Sequence, residues 1–221
     1  MLDQYDPQTG GFVSTHESDS SARPGMEECV RFHGHLCPGL SIGFKAAAAL
    51  LAALRVKRAE DEELVTIVET DACGADAMQV MTGCTFGKGN FLFKNYGKHA
   101  FTLASRRSGR AFRACLKAGA VMHDPVHRAL LQKVQGGIAT PEEAERYKAL
   151  HLQAADRVLQ MTAEDLFSIE EVAMELPPKA RVVASEVCPS CGEPVRVDYL
   201  TSSGGAAICP GCRERRGSPA A

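Results

Sequence analysis

At 221 residues, with 45% hydrophobic and 24% charged content, the chain can bury a proper core and has room for one medium domain and a small appendage. A formal net charge of −2 gives no overall attraction to nucleic acid or to an anionic membrane. Nine cysteines, an odd number, argue against a disulfide framework and for metal or redox chemistry; with no basic segment followed by an apolar run at the N-terminus, a cytoplasmic, reducing location is expected.

Residues 1–25 are rich in Ser, Thr, Gly, Asp and Pro without hydrophobic periodicity, so a flexible arm is expected there. A core domain is expected over residues 26–178. It opens with a short helix at Met26–Phe32. After His33-Gly34-His35-Leu36-Cys37-Pro38-Gly39, an Ala- and Leu-rich helix is expected from about Leu40 to Ala59, apolar on most faces and therefore packed on several sides. Its most apolar window, Leu40 to Leu54, contains Lys45 and is too short to span a bilayer, so no membrane is expected among the partners. Leu64–Thr70 is β-branched and reads as a buried strand, followed by a short helix at Ala75–Met81. Phe91–Tyr96, His99–Ser105 and Arg110–Leu116 alternate apolar with polar residues between Gly-containing turns, which predicts an antiparallel meander. Two helices follow at Pro125–Gln135 and Thr140–Gln160, the second opened by Thr140 as N-cap, Pro141 and an acidic first turn. Ser168–Leu176 returns to the sheet, and Pro177-Pro178 ends the domain. The expected class is α+β, an antiparallel sheet with packed helices.

Residues 179–221 form the appendage. Cys188-x-x-Cys191 and Cys209-x-x-Cys212, with seventeen intervening residues, have the paired-knuckle spacing of a four-cysteine structural zinc site. Between them Val195–Tyr199 and Ala206–Ile208 flank Ser202-Ser203-Gly204-Gly205, so a small hairpin can join the knuckles, and the metal substitutes for a core that so short a segment lacks. Arg213, Arg215 and Arg216 leave nucleic acid open as a partner without favouring it.

In the core domain, His33, His35 and Cys37 are spaced two apart, so an extended segment would project all three from one side. Pro38 pushes Cys37 away from helical angles, and the helix start beyond it favours a thiolate. Two imidazoles and a thiolate can hold a second metal ion, zinc or iron, with one coordination position open, or make an activated nucleophile. The plainer alternative is a loop-capping histidine beside a cysteine packed as a small hydrophobe. A second group follows the strand: Glu69, Asp71, Cys73, Asp76, Gln79 and Cys84, with Asp76 and Gln79 on one helix face. The Gly87-Lys88-Gly89-Asn90 turn offers backbone N–H groups to an anion. Cys115 reads as core packing, and His123, His127 and His151 as surface or hydrogen-bonded residues.

His-Gly-His-Leu-Cys-Pro-Gly at 33–39, Glu-Thr-Asp-Ala-Cys-Gly-Ala-Asp-Ala-Met-Gln at 69–79, Thr-Gly-Cys-Thr-Phe-Gly-Lys-Gly-Asn at 82–90 and Tyr-Gly-Lys at 96–98 together resemble the FmdE-like family of formylmethanofuran dehydrogenase proteins, over roughly residues 26–175. The resemblance implies an α+β core with an antiparallel sheet, a homodimer, and a C-terminal treble-clef or ribbon-like zinc finger. Carried over position by position, the active-site candidates are Cys37, His33, His35, Cys73, Asp76, Gln79 and Cys84. The family's name refers to a molybdenum or tungsten pterin enzyme of methanogenesis whose pterin and iron–sulfur centres belong to other subunits. The implied role is an accessory or redox subunit in one-carbon metabolism, with those subunits as partners. The alternative is a binding or regulatory protein whose finger contacts nucleic acid or a partner subunit while the core cluster is structural.

Overall fold

The structure, a computed structural model, describes residues 4–6, 11–13, 25–121, 124–203 and 206–217. The chain divides into two compact units, Met1–Lys179 and Ala180–Ala221. Within the N-terminal arm, strands β1 (Gln4–Asp6) and β2 (Gly11–Val13) pair antiparallel. The rest of residues 1–24, and His123, lie outside the described residues.

Helix α1 (Met26–His33) carries Glu27 and Glu28 in its first turn, and the Glu28 carboxylate accepts the Gly25 N–H at 2.6 Å. It stops because Gly34 turns left-handed at φ 100°, a conformation closed to most side chains. Helix α2 (Pro38–Leu54) begins at once, with Cys37 as its N-cap and Pro38 in its first turn. It ends at Arg55, short of the expected Ala59. A tertiary bond explains the difference: the Ala59 N–H donates to the Thr82 carbonyl at 2.9 Å, which draws residues 56–59 out of the helix and onto the end of α3 (Gly74–Thr82).

The main sheet runs β4-β3-β5-β6-β7, with β3 at Leu64–Val68, β4 at Phe91–Phe93, β5 at Ala100–Ser105, β6 at Ala111–Leu116 and β7 at Phe167–Glu171. The α+β class holds and the expected antiparallel pairing of β5 with β6 forms, but Phe91–Phe93 does not join β5 as the first strand of a meander. Instead β4 pairs parallel to β3 (Thr66 opposite Phe91), while β3–β5, β5–β6 and β6–β7 are antiparallel. The cause is α3, which crosses over between β3 and β4 and returns the chain in the same direction. Bonded on both sides and buried at all five residues, β3 has the near-continuous apolar sequence of an interior strand.

One sheet face carries the helices. Leu40, Leu50, Leu51, Met78, Phe101 and Leu103 are fully buried between α2, α3 and the strands, each worth roughly 1.5–3 kcal/mol of burial. On the other face Val172, Met174 and Leu176, just past β7, pack on Val65, Ala104 and Ala111. Helices α4 (Pro125–Gln135) and α5 (Pro141–Gln160) form a helical pair, α5 with a Thr140–Glu143 capping box. A short α6 (Ala163–Leu166), opened by Thr162, was not expected from the sequence.

Glu69 lies just beyond β3 and pairs with Arg113 on β6 through two hydrogen bonds of 2.7 and 2.9 Å. The Arg113 hydrogen bond holds the Glu69 carboxyl below its ordinary range. A depressed folded pKa contributes stability above the unfolded value of about 4.3, lost as pH falls through the folded value. Glu69→Gln is therefore expected to destabilise the unit by about 2 kcal/mol at pH 7, leaving Arg113 with the more exposed Glu170 at 3.9 Å as its carboxylate partner, with the gap to wild type closing below about pH 4. Urea titrations at pH 7 and 3.5 check this; a gap that does not shrink in acid overturns it.

The second unit contains an antiparallel hairpin of β8 (Ser185–Val187) and β9 (Pro194–Arg196), a second of β10 (Thr201–Ser203) and β11 (Ala206–Ile208), and helix α7 (Pro210–Gly217). The expected strand at Val195–Tyr199 is cut short, since Val197–Tyr199 forms a 3-10 turn and the partner of Ala206–Ile208 is Thr201–Ser203.

Candidate metal and thiol site

In the second unit the four thiols of Cys188, Cys191, Cys209 and Cys212 lie within 4.8 Å of one another. Cys188 and Cys191 flank the β8–β9 turn, while Cys209 and Cys212 open α7, so knuckle, hairpin and helix follow in the order of a treble clef. Backbone N–H groups aim at the sulfurs: Cys209 donates to Cys188 Sγ and Cys212 to Cys209 Sγ, both at 3.4 Å. The Cys209 N–H, with others, pulls the Cys188 thiol down to about 6. These four cysteines are arranged to hold a metal ion. Arg215 donates to Cys212 Sγ at 3.2 Å and Arg213 to Thr201 Oγ1 at 2.8 Å, so both guanidinium groups are engaged by the finger's own side chains.

In the first unit, His33, His35 and Cys37 also bring their ligand atoms within 4.8 Å of one another. They do so without the extended segment that their spacing suggested. His33 ends α1, Gly34 makes the left-handed turn, and Cys37 begins α2, so a helix–turn–helix corner folds the three together. The His33 and His35 ring centroids are 4.6 Å apart. His33 Nε2 stands 3.9 Å from Cys37 Sγ, while its Nδ1 is 2.7 Å from Asp76 Oδ2 on α3. The carboxylate fixes the ring and turns Nε2 toward the thiol. That is the carboxylate–histidine support common behind metal-bound imidazoles, and it also matches a cysteine–histidine–aspartate relay. With two imidazole nitrogens and one sulfur converging, the donor set fits a borderline metal ion such as zinc or iron.

Cys37 is 3% exposed, and burial pushes its thiol up to about 11 although the Leu40 N–H, donating to Sγ at 3.3 Å, acts the other way. Burial therefore opposes the thiolate that the helix start favours.

Asp76 reaches the corner because α2 and α3 cross at glycines. A Cβ on Gly43 would stand 2.2 Å from the Gly74 carbonyl oxygen, and one on Gly74 would lie 3.1 Å from the Gly39 carbonyl oxygen. The same crossing brings in Cys73, the N-cap of α3. Of the remaining candidates, Gln79 is half-buried one turn along α3, and its side chain makes no hydrogen bond among the described residues. Asp71 is exposed. Cys84 is fully buried beyond the far end of α3, beside the Thr66 and Thr82 hydroxyls and away from Cys37. Glu69 is taken by Arg113. The Gly87–Asn90 turn is structural: Asn90 Nδ2 donates to the Asp61 and Leu64 carbonyls, Lys88 Nζ to those of Glu60 and Asp61. Cys115 is half-buried.

Reading each residue alone missed one group. His127 Nε2 is 3.1 Å from His151 Nδ1, the Tyr147 hydroxyl is 3.3 Å from the same nitrogen, and the His127 and Tyr147 rings stack at 5.3 Å. Burial first, then the charge of Cys37, raises the Tyr147 phenol. The signal was present in helical spacing: Tyr147 and His151 continue the α5 stripe of Ala154, Ala155 and Val158.

A two-layer α+β unit with a histidine–cysteine corner, joined to a four-cysteine finger, defines the class of protein. The family model described as FmdE, Molybdenum formylmethanofuran dehydrogenase operon, matches residues 32–168. This chain belongs to that family. It is 27% identical over 172 residues to a protein of Archaeoglobus fulgidus named "Probable S-adenosyl-L-methionine-binding protein", covering 73% of this chain and 46% of the relative, so it spans less than half of that protein's length. The crystal structure of a tungsten formylmethanofuran dehydrogenase FmdE-like protein from Syntrophus aciditrophicus superposes with a TM-score of 0.55 at 22% identity, covering 88% of this chain and 92% of that one, and shares the fold. Among the described residues no helix is long and apolar enough to cross a membrane.

Proposed function

We propose that the first unit is a metal-dependent site in which His33, His35 and Cys37 hold a zinc or iron ion, and that the protein serves as an accessory or redox subunit beside a molybdenum or tungsten one-carbon enzyme. The observation that carries this reading is the Asp76–His33 contact, which leaves Nε2 facing Cys37 within ligand–ligand distance. When bound, the ion would supply a Lewis-acid or redox centre with a position open to an exogenous ligand. The chain's own residues do the rest. Asp76 sets the tautomer of His33, Leu40 N–H steadies the Cys37 sulfur, and exposed His35 leaves the corner open to solvent.

In the same reading the finger holds zinc and seats the chain against a partner subunit or a second copy, in a cytoplasmic setting. A nucleic-acid role would lean on Arg213, Arg215 and Arg216, and the first two are engaged within the finger.

Metal analysis of the purified full chain tests the proposal. Two metal equivalents per chain are expected in wild type and one in His33→Ala or Cys37→Ala, with Asp76→Asn weakening the core site about 10–100-fold. A single equivalent that none of these substitutions changes overturns it.

A further inference from the structure

Cys37 and Cys73 are closer partners than their separation in sequence suggests. Each is the N-cap of a helix, Cys37 of α2 and Cys73 of α3, and the glycine crossing sets those two helix starts side by side. Gly39 lies between them. The point where its missing Cβ would stand is 3.2 Å from Cys73 Cβ, 3.7 Å from Cys73 Sγ and 3.9 Å from Cys37 Sγ, so both sulfurs border one small space. Cys73 is half-buried and open to a reagent, whereas Cys37 is buried behind it against the His33–Asp76 pair. An accessible thiol backed by a buried one with a base at hand is the arrangement of a reactive cysteine and its resolving partner.

We propose that Cys37 and Cys73 form a dithiol–disulfide couple that exchanges with small-molecule disulfides. In the first step the Cys73 thiolate attacks one sulfur of the external disulfide. A mixed disulfide forms, the external S–S bond breaks, and one thiol leaves with the proton that Cys73 gave up. In the second step Cys37 passes its proton to His33 Nε2 and attacks Cys73 Sγ. The Cys37–Cys73 bond forms, the mixed disulfide breaks, and the second thiol leaves with the proton from His33. Two protein thiols are oxidised and one disulfide is reduced to two thiols. Asp76 acts as a positioning residue by holding His33. The inference uses the corner described in the preceding reading but not its metal; Cys37 cannot ligate an ion while it is bonded to Cys73, so oxidation and metal binding exclude each other.

The test is equilibration of the as-purified full chain in reduced and oxidised glutathione of varied ratio, followed by acid quenching, alkylation and peptide mass spectrometry. A Cys37–Cys73 cross-link is expected in more than about half of the chains when glutathione is mostly oxidised, reversed by excess reduced glutathione. Cys73→Ser should abolish the cross-link, Cys84→Ala should leave it unchanged, and Asp76→Asn should let the glutathione adduct on Cys73 accumulate. No cross-link at full oxidation, or a wild-type chain that stops at the Cys73 adduct, overturns the couple. Failure here is separate from failure of the metal site: metal is counted before oxidation, and a cross-link in a chain with no core metal supports the couple alone.

Discussion

Chelation of the full chain is expected to unfold the second unit while the first stays folded. Among the described residues, the buried apolar cluster of the second unit consists of Cys188, Ile208, Cys209 and Cys212, with Cys191, Val195, Leu200 and Ala206 packed against it. Four of these eight are the converging thiols themselves, so the rest cannot offset the conformational entropy of ordering the segment. A structural metal in such a module supplies ~10 kcal/mol of folding free energy. The first unit has a core of more than twenty buried residues and needs no ion to close it. Amide exchange read residue by residue decides the matter: residues 185–217 should lose protection on metal removal, while β5 and β6 keep theirs. Cys209→Ser should reproduce the loss. Protection of the finger that survives complete metal removal would refute the expectation.

Gly43→Ala is expected to lower the stability of the first unit by about 3 kcal/mol, the upper end of ordinary overpacking, and its melting temperature by about 10 °C. The new methyl group would stand 2.2 Å from the Gly74 carbonyl oxygen and 2.5 Å from its Cα, and both are backbone atoms that no rotamer change can move aside. Relief requires α2 and α3 to separate. That separation pulls Asp76 from His33, so the core site should weaken along with the fold. At Gly39 the corresponding methyl meets side chains and no backbone, Cys73 Cβ at 3.2 Å and Cys37 Sγ at 3.9 Å, which makes Gly39→Ala a milder control. Thermal melts of both variants, with metal counted in the soluble fraction, check the difference. A Gly43→Ala protein melting within about 2 °C of wild type contradicts the close-crossing account.

The helices were legible wherever local chemistry sets their ends. Thr140, Pro141 and Glu143 start α5 by a capping box that needs nothing from the rest of the chain. The second metal cluster was legible for a similar reason, because two Cys-x-x-Cys pairs place sulfurs by the geometry of a single turn. The β5–β6 hairpin was legible too, but the partner of β4 was not. Phe91–Phe93 has the pattern of a strand under either pairing, and only the α3 crossover sets it beside β3.

At the core corner the division is sharper. His33, His35 and Cys37 stand within five residues, and the left-handed turn at Gly34 is a local event, so sequence alone determined that these three side chains could meet. It determined equally the four thiols of the finger. Asp76 at His33, Cys73 beside Cys37, and the meeting of Tyr147, His151 and His127 were decided only by tertiary structure. Each depends on how closely one helix backbone approaches another, and that distance is set by paired glycines and packed stripes far apart in the chain. The same packing left Cys84 and Glu69 outside the corner, Cys84 beyond the far end of α3 and Glu69 in the grip of Arg113.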